Sequence, residues 1–136
     1  MKTILEDPST VNVRYIVNDV DACVAFYTQI LGFEVEMHSP AGFAMLSKGN
    51  LSLLLNKPGA GGAGQSMPDG TEPAPGKGWS RFQLEVDDID AVVNDLKKKS
   101  AKFRNEIVTA PAGKQVLLMD PAGNLIELFE PTRKRR

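Results

Sequence analysis

Glu127 lies inside an apolar run, "LLMDPAGNLIELFEP" (117–131). A carboxylate in such company can ligate a metal, pair with a cation, act as a base or face water. Its register narrows the choice. Asp120 to Asn124 read as a turn, because Pro121 fixes φ and Gly123 and Asn124 tolerate positive φ. The strand that follows alternates. Leu125 and Phe129 share the face of Glu127, while Ile126 and Leu128 point the other way. The only histidine, His38, alternates with Glu34 and Glu36 in "FEVEMH". These are three metal-type ligands on one strand face, yet residues four apart on a strand are separated by ~13 Å, too far to share an ion. A solvated polar face is the simpler reading. Cys23, the only cysteine, has no histidine near it in the sequence and reads as a small packed hydrophobe. It allows no disulfide framework and no cysteine-based zinc site. No nucleophile–base pair is visible. "GAGGAG" (59–64) satisfies the pattern GxGxxG, but Pro58 precedes it and "QSMPDG" opens no helix. The strand–turn–helix of a dinucleotide site is therefore missing.

The elements that must position Glu127 emerge when the chain is laid over itself. "VNDVDACV" (17–24) matches "VDDIDAVV" (86–93), "PAG" at 40–42 matches 111–113, and "GNLSLLL" (49–55) matches "GNLIELF" (123–129). The order is kept and the offset drifts only slightly, which indicates a tandem duplication. Each half begins with an alternating strand, 11–17 or 80–86. A helix follows, about 20–31 or 89–100, with Asp19 and Asp88 as N-caps. Three strands complete each half: about 33–38, 43–48 and 50–56, then about 103–109, 114–119 and 124–130. The fold class is α+β, with tandem βαβββ modules forming an eight-stranded, open barrel-like cleft. The modules are 1–56 and 80–131, joined by a Gly/Pro-rich linker or cavity loop, 57–79, and followed by a basic tail, 132–136. The linker composition suggests a flexible connector or a loop over the cavity.

Composition sets the outer limits. The chain has 136 residues, one domain's worth, 42% hydrophobic and 24% charged, with a net charge of −1. No global field recruits nucleic acid or a membrane surface, and "TRKRR" reads as a solvated tail. No apolar stretch approaches a spanning helix and no secretory leader is visible. The expected location is the cytoplasm.

The stretches "VNDVDACVAFYTQILGF" (17–33), "LEVDDIDAVVNDL" (84–96) and "MDPAGNLIELFEP" (119–131) resemble the vicinal oxygen chelate family, which includes glyoxalase I, extradiol dioxygenases and bleomycin-resistance proteins. The resemblance covers nearly the whole chain outside the 57–78 loop and the tail. It is specific for the fold and weak for the reaction. It implies a metal held by one residue from the first strand and one from the last strand of each half. Through the duplication those positions become Asn12, Leu53, Arg81 and Glu127. Metal-binding members carry His, Gln or Glu there, and here only Glu127 is a usual ligand. A divalent ion ~4 Å from the Arg81 guanidinium would be repelled by about 8 kcal/mol at an effective dielectric near 20. The expectation is that Arg81 replaces the ion, with Glu127 as its counter-charge and Asn12 and Gln83 as hydrogen-bonding neighbours. No metal and no cofactor is expected.

If residues 12 and 81 face the cavity, so do Arg14, Ile16, Gln83 and Glu85, while Val13, Tyr15, Val17, Phe82, Leu84 and Val86 face the helices. Such a mixed cavity suits a polar organic ligand. Asn12, Arg14, Leu53, Trp79, Arg81, Gln83 and Glu127 are the candidate ligand-binding residues, and Trp79 is placed to stack on a planar group. Two function classes stay open. One is a metal-independent binding protein, closest in character to bleomycin-resistance proteins, which sequesters a drug or metabolite. The other is a glyoxalase- or dioxygenase-like lyase, isomerase or oxygenase using a divalent metal or Glu127 (with Glu85 as a second candidate) as base. The expected assembly is a homodimer, with the modules pairing within one chain or across two.

Overall fold

Each half starts with a strand whose alternate side chains are apolar and continues into a helix begun by aspartate. The computed structural model describes residues 4, 9–76 and 78–133, so residues 134–136 of the basic tail lie outside the described residues. In chain order the elements are β1 (Val11–Ile16), α1 (Val20–Gln29), β2 (Glu34–Ser39), β3 (Phe43–Lys48) and β4 (Leu51–Asn56), then β5 (Arg81–Glu85), α2 (Ile89–Lys98), β6 (Lys102–Phe103), β7 (Val108–Ala110), β8 (Gly113–Met119) and β9 (Leu125–Pro131). The first sheet has the order β1-β4-β3-β2. The second has the order β5-β9-β8-β6, with β7 also paired to β8. First and last strands run parallel in each half, β1 beside β4 and β5 beside β9. The fold is α+β with two sheets and no closed barrel.

The second half contains five strands rather than four. Asn105 accounts for the extra break: its Oδ1 takes the Leu117 N–H at 2.9 Å, and Arg104 N donates to Leu117 O at 2.8 Å. A side chain thus occupies a rung of the ladder, and the expected strand over 103–109 divides into β6 and β7.

Both helices are capped as the aspartates predict. Asp19 Oδ1 accepts from Ala22 N at 3.0 Å, and Asp88 Oδ1 from Ala91 N at 3.1 Å. The helices stop slightly earlier than the sequence suggested. At the end of α2, Ala101 N donates to Leu96 O and Ser100 N to Lys97 O, the Schellman arrangement that calls for a left-handed residue between them. Ser100 fills that position with φ +66°. A serine there bears a steric cost that glycine escapes, partly offset by the greater freedom of glycine in the unfolded chain. Ser100→Gly should therefore raise stability by about 0.5–1 kcal/mol, seen as a higher urea midpoint at unchanged slope.

One core serves both halves. From α1 it takes Cys23, Phe26 and Tyr27, from α2 Ile89, Val93 and Leu96, and from the sheets Tyr15, Leu46, Leu53, Leu55, Phe82, Leu118, Ile126 and Leu128. Phe82 of the second half is surrounded by rings of the first, 5.6 Å from Tyr15, 6.2 Å from Phe33 and 6.5 Å from Tyr27 between centroids. Burying each such side chain contributes about 1.5–3 kcal/mol.

Polar contacts fasten the same junction. The buried Asp120 accepts from Tyr27 Oη at 2.8 Å, Ala122 N at 2.8 Å, Asn124 N at 2.9 Å and Asn124 Nδ2 at 3.1 Å. Asn124 Nδ2 also reaches Ile16 O of the first half at 3.0 Å. Tyr15 Oη donates to Leu125 O at 2.6 Å and accepts from Phe82 N at 3.3 Å, bridging β5 and β9 where they begin. The turn read from the sequence is thus also the clamp between halves.

The 57–78 segment is held at both ends rather than running free. Gly59 N donates to Gly64 O at 2.6 Å, and Gln65 Nε2 to Gly61 O at 2.9 Å. A Cβ at Gly64 would fall 2.5 Å from Ala60 O, and one at Gly76 would fall 2.3 Å from Ala122 O. Only glycine allows either approach. At the far end Gly76 N donates to Asn124 Oδ1 at 3.2 Å.

Candidate functional site

The face of each sheet turned away from its helix carries the polar residues. On the second sheet the parallel register sets Gln83 beside Glu127 and Arg81 beside Leu125. Side chains on alternate residues of neighbouring strands then converge on one point. Glu127 Oε1 receives Arg81 Nε at 3.0 Å and Arg81 Nη2 at 3.0 Å, while Oε2 receives Gln83 Nε2 at 2.7 Å. This is a charge-assisted fork on one oxygen and an amide on the other. The Glu127 side chain is 10% exposed and that of Arg81 26%. Arg81 Nη1 turns back to Trp79 O at 3.1 Å. The Trp79 ring is exposed, and the Arg104 guanidinium lies 5.1 Å from its centroid.

The first sheet places its candidates differently. Arg14 is exposed, and its Nη1 donates to Asn56 Oδ1. Asn12 is exposed on β1, whose neighbour is β4. Among the described residues it makes no hydrogen bond to Arg81 or Glu127, so that part of the expected cluster does not form. Asn12 and Glu127 stand on different sheets.

Leu53 requires a correction. It is fully buried in the shared core, opposite Val13 and Leu46, and does not face the ligand side. Matching "GNL" to "GNL" slipped the register by one. Asn12 pairs with Ser52 and Arg81 with Leu125, so the counterpart of Glu127 is Leu54. Side chains alternate along a strand, and a slip of one residue moves every one of them to the opposite face. The rest of the face assignment holds: Tyr15, Val17 and Phe82 are buried, while Arg14, Arg81, Gln83 and Glu85 are exposed.

His38 does not align with the two glutamates. A bulge between Val35 and Met37 breaks the alternation. His38 Nε2 then meets Asp21 Oδ1 at 2.8 Å, near the start of α1, while Glu36 Oε1 accepts from Ser47 Oγ at 2.7 Å. Cys23 is buried, and burial pushes its thiol up to about 12, which suits packing and not nucleophilic attack.

A metal of the kind the resemblance implies does not fit this donor set. Leu54, like Leu53, offers no donor atom. Arg81 carries a fixed positive charge, and both Glu127 oxygens are engaged. Among the described residues no group of three or more His, Cys, Asp or Glu side chains converges elsewhere.

Asn56, Tyr15 and Asp120 were missed as parts of this arrangement. Asn56 ends "LSLLLN", and in the correct register it falls on the polar face, a legible signal. The contacts of Tyr15 and Tyr27 span the two halves and leave no local trace. Away from the sheet faces, a cavity of about 590 Å³ lies between α1 and the 119–123 turn, lined by Phe26, Ile30, Lys102 and Met119 among others.

The model of the Glyoxalase/Bleomycin resistance protein/Dioxygenase superfamily matches residues 10–128. Human mitochondrial methylmalonyl-CoA epimerase is 32% identical over 128 residues, spanning 86% of this chain and 70% of that protein. The solved lactoylglutathione lyase from Agrobacterium tumefaciens superposes with a TM-score of 0.71 at 26% identity, covering 92% of this chain and 96% of that one. The antibiotic binding protein TnmS3 from Streptomyces sp. CB03234 gives a TM-score of 0.70 at 24% identity, over 94% and 99% of the two chains, a likeness of fold alone. With duplicated halves, strand order and junction turn all accounted for, the chain belongs to the Glyoxalase/Bleomycin resistance protein/Dioxygenase superfamily.

Proposed function

We propose that the protein is a metal-independent small-molecule binding protein of the glyoxalase/bleomycin-resistance type, taking a drug or metabolite on the polar faces of its sheets. The observation that carries this reading is the engagement of Glu127. Its two oxygens accept from Arg81 and Gln83, so the carboxylate already neutralises a cation, which disfavours both a divalent ion at the same point and a proton taken from substrate. Arg14, Trp79, Arg81, Gln83 and Glu127 are the ligand-binding residues in this reading, with Asn12 at the margin. The half-apolar mix of these faces, with Met45, Leu54 and Phe129 partly buried, suits a polar organic ligand. The exposed Val35 and Met37 on the outer strand β2 favour a homodimer that covers them. A single buried cysteine suits the cytoplasm.

A second reading follows from the 32% identity to an epimerase: an isomerase, lyase or oxygenase on the same fold, with a metal or with Glu127 as base. A thermal-shift screen of aromatic antibiotics and small polar metabolites, run before and after EDTA treatment, separates the metal-independent binding protein from a metal-dependent enzyme. The binding reading predicts at least one stabilising compound whose shift is the same in both preparations. A shift lost with EDTA and restored by a divalent metal would favour the enzyme.

A further inference from the structure

Arg14 on β1 and Arg81 on β5 both carry guanidinium groups on the polar faces, and the two are not equivalent. Arg81 has a carboxylate partner. Arg14 has a neutral one: its side-chain hydrogen bond among the described residues goes to the Asn56 amide, and none of the ion pairs among the described residues includes it. Asn56 is 2% exposed and its orientation is determined by what surrounds it. Nδ2 must donate to Ala60 O, at 3.2 Å, which leaves Oδ1 to accept from Arg14. The carbonyl of Ala60 is itself part of the glycine-rich coil, accepting from Gly64 N at 3.1 Å. The segment "GAGGAG", unsuited to a dinucleotide, here buttresses the residue that aims an arginine.

We propose that the first module carries an anion subsite, in which Arg14 receives a carboxylate or phosphate group of the bound small molecule and Asn56 acts as its positioning residue. This rests on the binding function proposed above and specifies the class of ligand. A neutral ligand lying over Arg14 would strip water from a charge and return nothing, a cost that buried charges avoid by pairing. An anion returns a charge-assisted contact. With Nη1 engaged by Asn56, the Nε–Nη2 edge of the guanidinium is left for a two-point fork onto two oxygens. On the second sheet Arg81 needs no such compensation, because Glu127 already cancels its charge. The ligand is therefore polarised, with its anionic group on the first sheet and its neutral or planar part elsewhere.

Three matched probes test this by calorimetry: 2-naphthoate, 2-naphthyl phosphate and the neutral 2-naphthamide. Wild-type protein should bind at least one anion about tenfold or more tightly than the amide, a difference of about 1.4 kcal/mol, and the preferred anion identifies carboxylate or phosphate as the group recognised. Arg14→Gln should remove that preference, so that anion and amide bind alike. Arg14→Lys should retain part of it, since the charge stays and the fork is lost. Arg14 is exposed, and thermal melts of both variants check that folding is intact. Equal binding of anion and amide, or anion binding that Arg14→Gln does not weaken, would overturn the subsite and leave the binding function standing. Failure of both anions to bind also overturns it, while the compound screen judges the binding function separately.

Discussion

Asp120→Ala should cost about 3–5 kcal/mol of stability, among the largest losses available outside the apolar core. Asp120 is 5% exposed and collects four hydrogen bonds. Its removal leaves the buried Tyr27 hydroxyl and two backbone N–H groups without acceptors, at about 1–3 kcal/mol for each that water cannot reach. It also releases Asn124, which links the turn to Ile16. The two halves should then loosen together, visible as a lower midpoint in urea. A loss below about 1 kcal/mol would show that the turn holds without its acid. The pH dependence carries a definite sign. Burial raises the Asp120 carboxyl above the usual carboxylate range, against the pull of its hydrogen bonds. An acid raised on folding contributes stability that is fully present below its unfolded pKa of about 4 and is lost as pH climbs through the folded value. Wild type should therefore lose stability relative to Asp120→Asn as pH rises through that window.

The second large effect lies at the ion pair. Arg81→Met leaves a 10% exposed carboxylate with Gln83 as its remaining described partner and should cost about 3–5 kcal/mol. Glu127→Leu should cost less, about 1–3 kcal/mol, because Arg81 is 26% exposed and keeps its bond to Trp79 O. The double variant should fall short of the sum by about 1–3 kcal/mol. Additive losses would mean that the two charges are not coupled.

Much of this geometry was legible in the sequence because it is local or repeated. Asp19 and Asp88 stand where helices begin, Phe82 and Leu84 alternate with Arg81 and Gln83, and the duplication brought Arg81 and Glu127 to first and last strands. The register of β4 was not legible. The first half turns between β3 and β4 through Gly49 and Asn50, whereas the second turns between β8 and β9 through 120–124. Identical letters in turns of different length do not occupy equivalent rungs, and so Leu53 was set on the wrong face. The bulge at Glu36 and the Asn105 side chain in the ladder are likewise products of tertiary pairing. Tyr15 finds Leu125 across 110 residues and Tyr27 finds Asp120 across 93, separations that no local pattern records.

The claim that Glu127 serves Arg81 and not an ion is tested most directly by metal content. Protein purified without chelator and analysed by elemental mass spectrometry should carry well under one equivalent of zinc, nickel, manganese or iron, and calorimetric titration with each should show no stoichiometric binding. Close to one metal per chain, lost in Glu127→Ala, would contradict it.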